Sequence, residues 1–281
     1  MNAAQERLTL QTCAEVFTTQ APWGTLVWRR WGEGVPVILL HGGTGSWMHW
    51  VRNISALHQD YAVWAPDLPG MGDSDAPQGI EPVEALVEAM ARAVNAGLDE
   101  LSLPMPRHIV GFSFGAMVGA FVAAWQGANA ASYTMIGGSG LHLGFPGPGA
   151  LRKPSADLDA DAMRELHRAN LAAVMLGNID AVDDEALEMQ LLNAARMRVR
   201  SHTAAVTGVM LQPLADIIAP KFAFWGENDP FFPNDGAALE SLMVALKIRW
   251  VCLPGAAHWG QYQAAAAFNT AIRDILTSRT T

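Results

Sequence analysis

Residues 110–116 read Val-Gly-Phe-Ser-Phe-Gly-Ala. Ser113 stands between Gly111 and Gly115, after an apolar run and before a run of small residues. A serine on a sharp strand-to-helix turn takes strained backbone angles. Glycines two residues to either side remove the side-chain clashes that such a turn creates, and the hydroxyl is left exposed at a helix N-terminus. This is the placement of a nucleophile. A plain tight turn of small residues would also read this way, so the supporting chemistry must come from elsewhere in the chain.

A serine hydroxyl needs a base. Of the eight histidines, His258 follows the last apolar run and precedes the last helical run, in Leu-Pro-Gly-Ala-Ala-His-Trp-Gly-Gln. His41 also sits at the end of an apolar run, but upstream of Ser113. His49, His58, His108, His142, His167 and His202 lack that placement and read as surface or packing residues. No histidine pair has the HExxH spacing of a helix-borne zinc site, so no metal is expected. The base needs an orienting carboxylate. Asp229 follows the apolar run Phe-Ala-Phe-Trp and precedes Pro230, with Glu227 as its neighbouring rival. Gly42 and Gly43 follow another apolar run, where backbone N–H groups can approach a ligand closely. The N–H groups of Gly43 and Phe114 would together hold an oxyanion. The loop is no phosphate cradle, since neither GK[ST] nor GxGxxG is present.

These residues need a scaffold that gathers strand ends. The continuous apolar run at 35–40 reads as a strand buried on both faces. Residues 107–113 read as another short buried strand, and strands resume over 221–229. Strands are also expected at Gly24 to Gly32, up to about Ala65, over Ala-Ser-Tyr-Thr-Met-Ile, and over Ile-Arg-Trp-Val-Cys-Leu. Leu86, Met90 and Val94 share one face of a helix between them. Alternating strands and helices predict an α/β fold with a mostly parallel sheet. Ligands in such sheets bind beyond the C-terminal strand ends, and every candidate residue above falls at one. From Asp161 to about Leu211 the chain reads as wholly helical, after a stretch rich in Gly, Pro and Asp.

Composition bounds the setting. The 281 residues, 51% of them hydrophobic, can bury a sizeable core. A net charge of −9 argues against nucleic acid and anionic membrane as partners. Two cysteines, Cys13 and Cys252, suggest no disulfide framework. The first residues are too polar for a secretory signal, and no run is long enough to span a bilayer. A cytoplasmic enzyme of small-molecule substrates is expected, with homo-oligomerisation left open.

The set "HGGTGS", "DLPGMGDSD", "GFSFGA", "GENDP" and "HWGQ" resembles the α/β-hydrolase superfamily over nearly the whole chain. The resemblance implies an eight-stranded sheet with a helical cap inserted after the sixth strand. That divides the chain into core 1–140, cap 141–215 and core 216–281. The order Ser113, Asp229, His258 is that family's order of nucleophile, acid and base. Trp50 to Ile54, "GGSGL" and "HWGQYQAAAAFN" look most like the carbon–carbon bond hydrolases that cleave meta-cleavage products of aromatic rings. That group usually has asparagine before the nucleophile, where this chain has Phe112. It also has a substrate-binding cap arginine, where an ungapped reading places Gln190, with Arg196, Arg198 or Arg200 as potential substitutes. Losing that cation removes about 1.5–3 kcal/mol of charge-assisted bonding. A less anionic carbonyl substrate is therefore expected, of carboxylic ester type, in a pocket lined by Trp47, Phe112, Gln190 and Trp259 with Met175 and Leu176. Carbon–carbon bond hydrolysis and cofactor-free ligand binding without turnover are the alternatives. An aspartate-nucleophile dehalogenase or epoxide hydrolase is excluded by the serine at 113.

Overall fold

The computed structural model describes residues 3–149, 151–155, 157–200 and 202–278. Its centre is one eight-stranded sheet. The strands are β1 (Glu15–Ala21), β2 (Gly24–Trp31), β3 (Pro36–Leu40), β4 (Ala62–Pro66), β5 (Arg107–Phe112), β6 (Ala130–Ile136), β7 (Lys221–Gly226) and β8 (Ile248–Leu253). Their spatial order is β1-β2-β4-β3-β5-β6-β7-β8. β1 and β2 form an antiparallel hairpin, and β2 runs antiparallel to β4. From β4 to β8 every pairing is parallel. β3, β4 and β5 are buried at every position, as the continuous apolar runs of β3 and β4 require; in β5 the buried Arg107 and His108 are satisfied by hydrogen bonds to Gln126, the Leu103 carbonyl and Ser132. β1 was not expected. Its residues alternate poorly because only Thr19 is buried, where its hydroxyl accepts a bond from Trp28 Nε1 at 2.9 Å.

After β3 the chain moves to β4 on one side of β3, then returns to place β5 on the other. This reversal opens a crevice beyond the ends of β3 and β5, the place where open α/β sheets bind ligands. Gly42 and Gly43 leave β3 there, and Ser113 leaves β5.

Helices cover both faces: α1 (Ala3–Cys13), α2 (Val51–Leu57), α3 (Val83–Glu100), α4 (Phe114–Gln126), α5 (Ala160–Leu171), α6 (Asp184–Ala195), α7 (Leu211–Asp216), α8 (Gly236–Ala245), α9 (Gly260–Gln263) and α10 (Ala265–Thr277). One core layer joins α3, α4, α7 and α8 to the sheet through residues such as Met90, Val118, Leu214 and Met243. The other joins α1, α2 and α10 through Leu10, Ile54 and Ile272. Leu86, Met90 and Val94 of α3 are buried together, as their spacing predicts.

Among the described residues from Ala160 to Asp216 the chain is helical but not continuously so. A π-helical turn over Ala172–Leu176 ends at Gly177, whose φ is +76°. Asp183 caps a fresh start at α6 by accepting the Ala186 N–H at 2.7 Å. After Ala195 the backbone leaves helical geometry because it bonds to the core: Arg198 N–H donates to Gly70 O at 2.7 Å. α5, the π-helical turn and α6 pack on the Trp259 side of the molecule, through Leu171, Met175 and Leu187. Val199, Ala204 and Leu214 pack on the opposite layer.

Candidate active site

Ser113 has φ +50° and ψ −116°, the strained turn expected between β5 and α4. Its N–H donates to Ile136 O at 2.8 Å, which ties the turn to the end of β6. The flanking glycines are required for space. A Cβ on Gly111 would lie 2.6 Å from Ala116 Cα, and one on Gly115 would lie 2.6 Å from the Leu40 carbonyl carbon. The strand and helix could then not cross this closely, and the serine would not be presented at their junction.

Ser113 Oγ lies 2.8 Å from His258 Nε2. His258 Nδ1 lies 2.9 Å from each carboxylate oxygen of Asp229. His258 and Asp229 are buried and Ser113 is half-buried. A carboxylate only accepts, so Nδ1 carries the imidazole proton, leaving Nε2 to accept from the serine. Asp229 is oriented in turn by the Phe231 N–H, which donates to its Oδ1 at 2.8 Å. Glu227, the rival carboxylate, instead accepts the Gly255 N–H at 2.9 Å. The structure therefore brings Ser113, His258 and Asp229 into one hydrogen-bonded chain.

Gly43 follows the end of β3, and Phe114 is the first residue of α4. Among the described residues neither N–H has a hydrogen-bond partner. For Phe114 this follows from position, since the first N–H groups of a helix have no acceptor one turn back. The helix N-terminus adds partial positive charge beside Ser113.

The other expected site residues divide. The Phe112 ring packs 5.0 Å from the His258 ring and is fully buried, under the site. Trp259 is also buried. Its indole N–H donates to His49 O at 2.9 Å and its ring stacks on Tyr262 at 4.2 Å. Trp47 packs on Trp31 at 5.4 Å and lines a separate cleft of about 230 Å³ with Arg7, Arg29, Asp73 and Arg196. Gln190 is half-buried on α6, one turn before Asn193, whose Oδ1 accepts from Ser46 Oγ at 2.7 Å. Of the candidate replacement cations, Arg196 pairs with Asp73 at 2.9 Å, and Arg198 donates to the carbonyls of Gly72 and Ser74. Both are tied to the loop after β4. Arg200 is exposed.

Three residues of this site were not foreseen. The Phe231 ring lies 4.6 Å from His258 and 5.3 Å from Phe145, forming an aromatic wall. Its only signal in the sequence is its place two residues after Asp229. Gly137, at the end of β6 with φ +55°, leaves room for the His258 ring. His49, expected to be a packing residue, stands between Phe112 and Trp259 with ring separations of 5.5 and 5.1 Å. Burial, with His41 and His258 nearby, holds its imidazole well below the ordinary range. Among the described residues no three His, Cys, Asp or Glu side chains gather to hold a metal ion. No helix there is long and apolar enough to cross a membrane.

A family model described as the alpha/beta hydrolase family matches residues 37–271, and the chain belongs to that family. It is a hydrolase. It is 30% identical over 263 residues to the 2-hydroxy-6-oxo-6-phenylhexa-2,4-dienoate hydrolase of Burkholderia cepacia, covering 88% of this chain and 89% of the relative. It is 27% identical over 266 residues to the 2-hydroxy-6-oxononadienedioate/2-hydroxy-6-oxononatrienedioate hydrolase of Comamonas testosteroni, covering 88% and 89%. Among solved structures, an esterase from Rhodococcus sp. ECU1013 superposes with a TM-score of 0.74 at 21% identity, covering 94% of this chain and 99% of that one. A meta-cleavage product hydrolase from Pseudomonas fluorescens IP01 gives a TM-score of 0.72 at 19% identity, covering 92% and 97%. These two likenesses carry the fold.

Proposed function

We propose that this chain is a serine-nucleophile hydrolase of a small, largely hydrophobic carbonyl substrate of the carboxylic ester type. The observation that carries this reading is the hydrogen-bond chain from Ser113 through His258 to Asp229, at 2.8 and 2.9 Å. Ser113 Oγ attacks the carbonyl carbon as its proton passes to His258 Nε2, and the carbonyl π pair moves onto oxygen. The N–H groups of Gly43 and Phe114 hold that oxyanion, each contributing roughly 3 kcal/mol in the transition state. Collapse of the adduct breaks the bond to the leaving group, which takes the proton from Nε2. Water then adds to the acyl carbon by the same route, its proton passing to Nε2, and Ser113 leaves and recovers a proton. Asp229 fixes the tautomer that makes Nε2 the base and stabilises the imidazolium.

In this reading residues 141–215 act as a cap on the core 1–140 and 216–281. Their bonds to the core support it: Trp259 N–H to Met175 O, Gln263 Nε2 to Leu176 O, and Ser46 Oγ to Asn193 Oδ1. Phe231 and Phe145 supply an apolar wall for the substrate.

Carbon–carbon bond hydrolysis is the second reading, favoured by the 30% identity to the Burkholderia cepacia enzyme. The ester reading is preferred because position 190 is glutamine and Arg196 and Arg198 are committed to the β4 loop. Measured side by side, kcat/KM on p-nitrophenyl butyrate should exceed that on a ring-fission dienolate. A dienolate preference would reverse the order of the two readings.

A further inference from the structure

Gly42 is held from both sides by histidines. Its C=O accepts from His41 Nδ1 at 2.8 Å, and its N–H donates to His49 Nδ1 at 3.3 Å. His41 Nε2 accepts the Leu68 N–H at 2.8 Å, so that nitrogen is bare and the His41 proton sits on Nδ1. His49 Nδ1 is itself an acceptor, so its proton sits on Nε2. The two rings carry opposite tautomers and meet edge to face at 6.1 Å. Both are buried, and burial keeps both below the ordinary imidazole range, so both bonds are made by neutral rings.

A trans peptide points its C=O and the next N–H in opposite directions. The Gly42 oxygen and the Gly43 N–H belong to one peptide plane, so the His41 bond sets the direction of the Gly43 N–H. The His49 bond fixes the peptide before it. With both planes fixed, the Gly43 N–H cannot swing by rotation at Gly42, the most permissive residue type for such rotation. His49 is itself held by the Trp259 indole bond to its carbonyl and by the Phe112 ring. It thus connects the residue before Ser113, the residue after His258 and the loop that carries Gly43.

We propose that His49 is a positioning residue that clamps Gly42 against His41 and so keeps the Gly43 N–H aimed at the developing oxyanion. This rests on the serine-hydrolase reading above. Such a role acts on the transition state alone, so its loss should lower kcat and leave KM in place.

His49→Phe keeps the ring and removes the acceptor; His49→Asn returns an acceptor near the Nδ1 position. With p-nitrophenyl butyrate, His49→Phe is expected to lower kcat about 10- to 100-fold with KM within about twofold. Affinity for a trifluoromethyl ketone, which forms the oxyanion adduct, should fall in parallel, and His49→Asn should recover most of the loss. Unchanged kcat in His49→Phe, a loss confined to KM, or equal losses in both variants would overturn the proposal. Nitrogen-15 NMR of the labelled wild-type protein reads the tautomers without any variant folding. A proton on His49 Nε2 and on His41 Nδ1 is expected, and a proton on His49 Nδ1 would overturn it. Ser113→Ala separates the two levels. Full activity there removes the serine-hydrolase reading, whereas an inactive Ser113→Ala beside a fully active His49→Phe removes only this inference.

Discussion

Gly137 holds φ at +55° where the chain leaves β6, and a Cβ there would lie 2.8 Å from both Cε1 and Nδ1 of His258. An alanine must therefore strain the backbone and push the imidazole off its line between Ser113 and Asp229. Misplacing a catalytic group by about 1 Å can lower rates about 100-fold. Gly137→Ala is expected to lower kcat at least tenfold on p-nitrophenyl butyrate while the protein stays folded by circular dichroism; wild-type kcat would show that the ring has room to spare. The hydrogen-bonded grouping of Ser113, Asp229 and His258, proposed above as nucleophile, acid and base, was legible because residue type, chain order and strand-end placement agreed. Gly137 and His49 were not, because nothing in their sequence neighbourhoods distinguishes a residue that touches the His258 ring, or binds Gly42, from ordinary packing; Phe231 offered only its place two residues after Asp229. Trp47 shows the converse. It follows the glycine loop closely, yet the short helix it begins turns its ring toward Trp31 and Arg29.

At the scale of elements, strand legibility tracked burial. β3 lies inside the sheet and reads as an unbroken apolar run, whereas β1 is an edge strand with one buried residue and left no pattern. The stretch from Asp161 to about Leu211 read as one helical block because its breaks depend on the Gly177 turn and on a backbone bond to Gly70, which is distant in sequence. The β5–β6 pair also carries a pH dependence. His108 is buried against Ser132 Oγ at 2.8 Å, and burial pushes its imidazole down to about 4 from an ordinary 6.5. The unfolded chain therefore binds this proton more readily than the folded one. Stability from this site is complete above pH 6.5 and is lost as pH falls toward about 4. The full shift is worth on the order of 3 kcal/mol. His41 and His49 act in the same sense. Thermal denaturation across that interval should show Tm falling with pH, and His108→Gln should flatten the fall. An unchanged slope in that variant would place the acid sensitivity elsewhere.

For the whole molecule, a net charge of −9 acts on the approach of substrate before any contact is made. A neutral ester should show kcat/KM nearly independent of ionic strength. An ester carrying a carboxylate should improve by about twofold between ~10 and ~150 mM salt, as screening shortens from about 30 to 8 Å. A decrease with salt for the anionic ester would reveal a local cation field that the overall charge hides. In the mechanism proposed above Ser113 is the group that attacks, activated by His258. The most direct test is mass spectrometry of the protein after a fluorophosphonate, alongside loss of p-nitrophenyl butyrate turnover. One phosphonyl group per chain is expected, on Ser113, in step with inactivation, and none in Ser113→Ala. Labelling elsewhere, or full turnover with Ser113 modified, would contradict it.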